Sequence, residues 1–248
     1  MSDDFLAKVG SWLEKSGYAF ELRIARAIRS EGANDVNLSF SYTDATTGAL
    51  REGDVLAKFD WTAIEGVPAS IEVVIECKSG RDHPWVLFSD EDVTMGSTIE
   101  DWAYFSHGSF VGITEPLTKD WSDQPPFHDR RVASHVVAMG AKDSHNPASD
   151  AVRQVLSAAE GRKTRYTERH FQDRRGCVII PVIVIGGRLV EARLSSIGDI
   201  ELTEVASAVV AGPRRGDKPA HVFVVTETEV TEFAQSFRDL ADRANKQR

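Results

Sequence analysis

Among the nine lysines of this 248-residue chain, only Lys78 has an acidic residue two positions before it, in the triplet Glu76-Cys77-Lys78. The triplet ends an apolar stretch, Ala69 to Lys78, where ionised groups are disfavoured unless paired or put to use. A second stretch of strand character, Gly53 to Trp61, precedes it across a link broken by Gly66 and Pro68. Folding this ribbon about Glu65 sets Phe59 opposite Ile71, Lys58 opposite Glu72, Ala57 opposite Val73 and Val55 opposite Ile75. Asp54 then falls opposite Glu76. One face of the ribbon is apolar, and the other carries Asp54, Lys58, Glu72, Glu76 and Lys78. A slip of one residue would mix the two sets, which argues for this register.

Two carboxylates on facing strands, with Cβ atoms about 5 Å apart, repel each other. A hard divalent cation relieves that repulsion. Mg²⁺ accepts a few oxygen ligands and keeps several waters, so Asp54, Glu76 and the carbonyl of Cys77 would suffice to hold it, with Mn²⁺ as a substitute. Such an ion lowers the pKa of a water molecule and stabilises charge on a phosphate oxygen. Lys78, on the same face, would orient the attacking water or favour its hydroxide form. The set has the parts needed to hydrolyse a phosphodiester. The Cys77 side chain alternates onto the apolar face and reads as core.

Asp54 followed by Glu76-Cys77-Lys78 on the next strand resembles the PD-(D/E)xK nuclease superfamily, whose fold is restriction-endonuclease-like. Gly17-Tyr18-Ala19-Phe20-Glu21 is similar to the first-helix signature of its DNA-cleaving members, and Arg51 to Ala57 is close to the strand around its metal-binding aspartate. The residue before the aspartate is Gly53 rather than proline. The likeness covers residues 17 to 88. It implies an α/β fold with a mixed central β-sheet flanked by helices, Asp54 and Glu76 as Mg²⁺ ligands, Lys78 as the catalytic lysine and Glu21 as an accessory acid. It further implies a DNA substrate, in restriction, repair or phage defence. A homodimer would serve to cut both strands of a duplex. The alternative is a non-catalytic module of the same fold that binds nucleic acid or a protein. A third reading, a binding protein with His83 to Asn146 as a lid, has only the tryptophans of that stretch in its favour.

Asp3 to Ser16 and Tyr18 to Ser30 read as the helices that would present Glu21, broken at Gly17. Val36 to Thr43 reads as a strand. Residues 89–146 read as an insertion in a single domain spanning 1–248. Ser149 to Ala159 reads as a helix, and Val178 to Leu194 as a hairpin turning at Gly186-Gly187. Val222 to Val225 reads as a strand and Glu229 to Ala244 as a closing amphipathic helix.

Between Arg162 and Arg175 the chain carries Arg162, Lys163, Arg165, Arg169, Arg174 and Arg175, with Tyr166, His170 and Phe171 among them. Cations interleaved with aromatics suit a nucleic-acid backbone. The net charge of -9 argues against a non-specific coat of nucleic acid but leaves room for a local basic face. No apolar run approaches the roughly 18 residues needed to span a bilayer, and the acidic start is unlike a secretory leader, so a cytoplasmic protein without membrane contact is expected. Two cysteines make no disulfide framework, and the seven histidines lack metal-ligand spacing. Neither a phosphate-binding Gly-rich loop ending in Lys-Ser/Thr nor a Gly-x-Ser-x-Gly elbow is present, so no nucleotide cofactor is expected.

Overall fold

The computed structural model describes residues 3–62, 68–81, 83–94, 104–105, 121, 123–128, 130–141, 146–169, 176–215 and 218–246. It is a mixed α/β structure. Helices α1 (Asp3–Ser16) and α2 (Tyr18–Ser30) precede strands β1 (Asp35–Thr43), β2 (Leu50–Thr62), β3 (Pro68–Lys78), β4 (Trp85–Thr94), β5 (Tyr104–Phe105) and β6 (Arg131–Ala138). Helix α3 (Pro147–Arg169) leads to β7 (Gly176–Ile185), β8 (Leu189–Leu194), β9 (Ile200–Val205), β10 (Ser207–Arg215) and β11 (Lys218–Thr226), and α4 (Val230–Lys246) closes the chain. Ten strands run in the order β1-β2-β3-β7-β11-β10-β6-β4-β8-β9, and β5 pairs with β7 beside this path.

The ribbon register expected from the alternation of polar and apolar residues is the one observed, with Val55 paired to Ile75, Ala57 to Val73, Lys58 to Glu72 and Phe59 to Ile71. β3 lies parallel to β7, and β7 to β11. Every residue of β7 is buried, as expected of a strand covered on both faces. Pro181 sits where β7 changes partner, between β5 at Val178 and Ile179 and β11 from Val182 onward. A missing N–H is tolerated at such a break.

The hairpin expected at Gly186-Gly187 does not form. β7 pairs with β3 and β11, while β8 pairs with β4 and β9. The two glycines have none of the positive φ values of a primed hairpin turn. They serve a close approach instead: a Cβ on Gly186 would lie 2.9 Å from the Ser79 carbonyl oxygen, and one on Gly187 would lie 3.0 Å from that of Gly80. The Gly186 N–H donates to the Lys78 carbonyl at 2.9 Å. At this corner the parallel pair β3/β7 gives way to the parallel pair β4/β8.

The corner also bends the sheet. Five strand spacings separate β7 from β8 in the sheet order, which would be about 24 Å if flat. The three residues joining them span at most about 14 Å. The sheet therefore curls, and α3 lies in its concave side. Val152, Val155 and Ala159 of α3 pack there with Leu87, Val136, Leu189, Ile183 and Val74. On the opposite face, Phe20, Ile24 and Ile28 of α2 and Phe233, Phe237 and Leu240 of α4 cover Val55, Phe59, Ile71, Val73 and Phe223. Within the stretch read as an insertion, part of β4 and all of β6 belong to the sheet itself. The acids from Asp90 to Asp101 lie outside the described residues or carry no described side chain.

Candidate functional site

Asp54 and Glu76 sit one step beyond the last paired residues, Val55 and Ile75, where the β2–β3 ribbon opens. This is the carboxyl end of β3 and β7, the edge at which open α/β sheets commonly bind ligands. Gly53, standing where the resembled motif has proline, is set by packing. It lies opposite Phe40 on β1, and a Cβ there would fall 2.5 Å from that ring. The Cys77 N–H donates to Asp54 Oδ2 at 2.6 Å and fixes the aspartate against the end of β3. Lys78 Nζ donates to Glu76 Oε1 at 2.6 Å and to Gln154 Oε1 of α3 at 3.0 Å.

Glu21 arrives from the other side of the sheet. Gly17 adopts φ +88°, which turns α1 into α2, and its carbonyl accepts the N–H groups of Phe20 and Glu21 at 2.9 and 3.1 Å. Glu21 thus sits in the first turn of α2, over the end of the strands, where the helix dipole favours an acid. Glu21, Asp54, Glu76 and Lys78 line one cleft of about 650 Å³, with His83, Trp85 and the β6–α3 turn at Met139–Gly140 across from them.

The electrostatics of the cleft are set first by burial and then by the charges gathered around Lys78. Burial raises the pKa of Glu21 to about 7, with Asp54, Glu52 and Glu76 adding to the effect and Lys78 opposing it. Burial likewise raises Asp54 against the pull of the Cys77 N–H and Lys78. Glu76 is raised by burial and then by Asp54, again against Lys78. The Cys77 thiol is pushed up by burial and by the surrounding acids, so it stays protonated and offers the site only its backbone.

Among the described residues no three His, Cys, Asp or Glu side chains converge as a ready-made metal-ligand group. Mg²⁺ needs less than that, because one or two carboxylates with water are sufficient. Asp54 and Glu76 are the two carboxylates that could serve in this way. One oxygen of each is engaged, by the Cys77 N–H and by Lys78, and the second oxygen of each accepts no hydrogen bond from a described residue.

The basic stretch lies elsewhere. Arg162 is buried and points inward: its Nε and Nη2 bond Glu72 at 3.0, 2.9 and 2.8 Å, and Tyr166 donates to the same carboxylate. The expectation that Arg162 offers its charge to a nucleic acid is corrected on this ground. Glu72, buried in a sheet, requires a cation, and Arg162 supplies it. Lys163 pairs with Glu160 at 3.1 Å, and Arg165 is exposed. The Arg169 side chain and the whole of Arg174 and Arg175 lie outside the described residues. Gln154 of the same helix touches Lys78, and Arg162 follows eight residues later, about 12 Å along the axis.

Gln154 belongs to the site and carries no strong sequence signal, whereas His83, which follows the strand of Lys78 in sequence and could be expected near it, lines the same cleft. A glutamine on a helix flank reads as surface. Arg162 did carry one: the helical spacing Val155, Ala159, Arg162, Tyr166 continues the buried stripe of α3.

Comparison with protein-family models, with curated proteins and with solved structures returned no match. No described helix is long and apolar enough to cross a membrane.

Proposed function

We propose that the protein is a metal-dependent nuclease of restriction-endonuclease-like fold, similar to the PD-(D/E)xK superfamily, that hydrolyses DNA phosphodiester bonds in the cytoplasm. The observation that carries this reading is the meeting of Asp54, Glu76 and Lys78 at one end of two adjacent strands, in a cleft that also holds Glu21. Burial raises the pKa of all three acids, and such perturbed carboxyls gathered in one cleft are in keeping with a functional site.

A bound Mg²⁺ or Mn²⁺ would supply Lewis acidity and a more acidic water. Asp54, held by the Cys77 N–H, and Glu76 would hold the ion. Lys78, steadied by Gln154, would donate a hydrogen bond to the attacking water or to a phosphate oxygen and stabilise the charge gathering there. The water oxygen adds to phosphorus as the bond from phosphorus to the leaving oxygen breaks. Glu21, a stronger base than an ordinary carboxylate, would accept the proton that this water loses, and the leaving oxygen would take its proton from bulk water.

A non-catalytic module of the same fold is the second reading, favoured by the Glu76–Lys78 contact, which also makes sense as a structural ion pair. One experiment separates them. Plasmid and single-stranded DNA are incubated with the protein in Mg²⁺, Mn²⁺ or EDTA, beside Asp54→Asn and Lys78→Ala. The nuclease reading expects metal-dependent cutting lost in both variants. Binding without cutting, unchanged in the variants, supports the module.

A further inference from the structure

Among the described residues Trp61, Trp85 and Trp121 are buried, but Trp12 of α1 is 58% exposed and Tyr18, which opens α2, is 50% exposed. Their rings meet across the Gly17 bend, with centroids 5.9 Å apart and planes tilted by 50°. The pair stands at the lip of the cleft. Ser16 and Gly17, between the two rings in sequence, line that cleft. Glu21 follows Tyr18 by three residues, so the two side chains are neighbours on α2. Lys15, in the last turn of α1, follows Trp12 by the same spacing, and the exposed Arg26 lies two turns beyond Tyr18. Among the described residues neither Lys15 nor Arg26 has an ion-pair partner, unlike Arg23, which is held by Glu14 and Glu227.

We infer that Trp12 and Tyr18 form a stacking platform for unpaired bases, and that the cleft receives single-stranded DNA. This rests on the nuclease reading of the cleft and adds its substrate class. Three features select the occupant. The first is the rings. An aromatic face stacks only on a base whose own face is free, and in an intact duplex the neighbouring base pairs cover those faces. The second is charge. Lys15 and Arg26 are enough to follow one phosphate backbone, whereas a duplex, with a charge about every 1.7 Å, calls for a wider basic face. The other described cations around the cleft are tied to acids, Arg23 and Arg81 to Glu227 and Lys78 to Glu76. The third is continuity. A base on Tyr18 sits about one helical turn from Glu21, which brings its strand to the mouth of the cleft.

Fluorescence anisotropy tests this with a labelled single strand of about 16 nucleotides and with the same strand annealed to its complement. Both are titrated with the full chain in EDTA, where a metal-dependent enzyme cuts nothing, and in Ca²⁺, which shields the cleft acids. The single strand should bind more tightly than the duplex by about 10-fold or more. Trp12→Ala and Tyr18→Ala should each weaken single-strand binding by about 5- to 150-fold and leave duplex binding unchanged. Both positions are exposed, so the variants keep the fold, which circular dichroism checks. Trp12→Phe keeps a ring and should bind within about 5-fold of the wild type, without the quenching of tryptophan emission that the wild type shows. A duplex bound as tightly as the single strand, or folded alanine variants that bind the single strand as the wild type does, would overturn the inference. So would a wild type that binds neither DNA in either solution, which would leave the rings to a protein partner. Failure of the nuclease reading looks different: no metal-dependent cutting, with single-strand binding that still needs both rings, would remove the nuclease and leave the platform in place.

Discussion

Replacing Asp54 by asparagine removes one charge from the cleft and leaves its shape. The amide oxygen of asparagine can still accept from the Cys77 N–H, which now reaches Asp54 Oδ2 at 2.6 Å. Two carboxylates about 5 Å apart across a ribbon repel by about 3 kcal/mol at an effective dielectric constant of about 20. Lys78, 2.6 Å from Glu76, offsets part of this. A net gain of about 1–2 kcal/mol is therefore expected for Asp54→Asn without metal, or about 2–8 °C in Tm for a chain of this length. The wild type should behave in the opposite way toward cations. At a Mg²⁺ concentration about 100 times Kd, binding to the folded state adds about 2.7 kcal/mol, or about 5–11 °C. Thermal melts of both proteins in EDTA and in saturating MgCl₂ read all four values. The prediction is a higher melting point for Asp54→Asn in EDTA and a Mg²⁺ response confined to the wild type. An Asp54→Asn protein that is less stable in EDTA, with equal Mg²⁺ responses in both, would refute the idea of a repelling pair that a cation relieves.

Glu21 makes the site pH-dependent: with its folded pKa about 7 against 4.5, the native state holds more protons between these values, so its stabilising effect is full below pH 4.5 and is lost as pH rises through 7. Glu21→Gln should flatten that part of the metal-free stability profile in urea titrations, and a profile unchanged by the substitution would count against the shift. Arg162→Ala should destabilise the fold by about 3–5 kcal/mol, because it strands the buried Glu72 carboxylate, with the loss read by urea unfolding. Gly186→Ala should destabilise by about 1–3 kcal/mol, since its Cβ would press to 2.9 Å on the Ser79 carbonyl, and a neutral effect in the same titration would mean the corner is looser than described.

The parts of the fold legible in the sequence are those where one local pattern has one solution. Period-two alternation over Val55–Phe59 and Ile71–Ile75 permits a single register, and that register alone brings Asp54 level with Glu76. Gly17 between two helical stripes marks the break that sets Glu21 in place. The corner is not legible, because a Gly-Gly pair between apolar runs serves a tight hairpin or a crossing of two chains equally well, and only tertiary contact with Ser79 and Gly80 decides. β9 is almost wholly exposed: Ile200 and Leu202 lie outside the core, and only Val205 packs against it. Arg162 is misjudged when a basic cluster is weighed by composition, whereas the helical phase running from Val155 to Tyr166 puts it on the inner side, facing the buried Glu72.

The most direct test of the account is where a cation binds. Anomalous diffraction from crystals grown with Mn²⁺ should show one ion at bonding distance, about 2.0–2.6 Å, from both Asp54 and Glu76, with Lys78 beside it. An ion bound elsewhere, or Lys78 alone bridging the two carboxylates in saturating Mn²⁺, would contradict it.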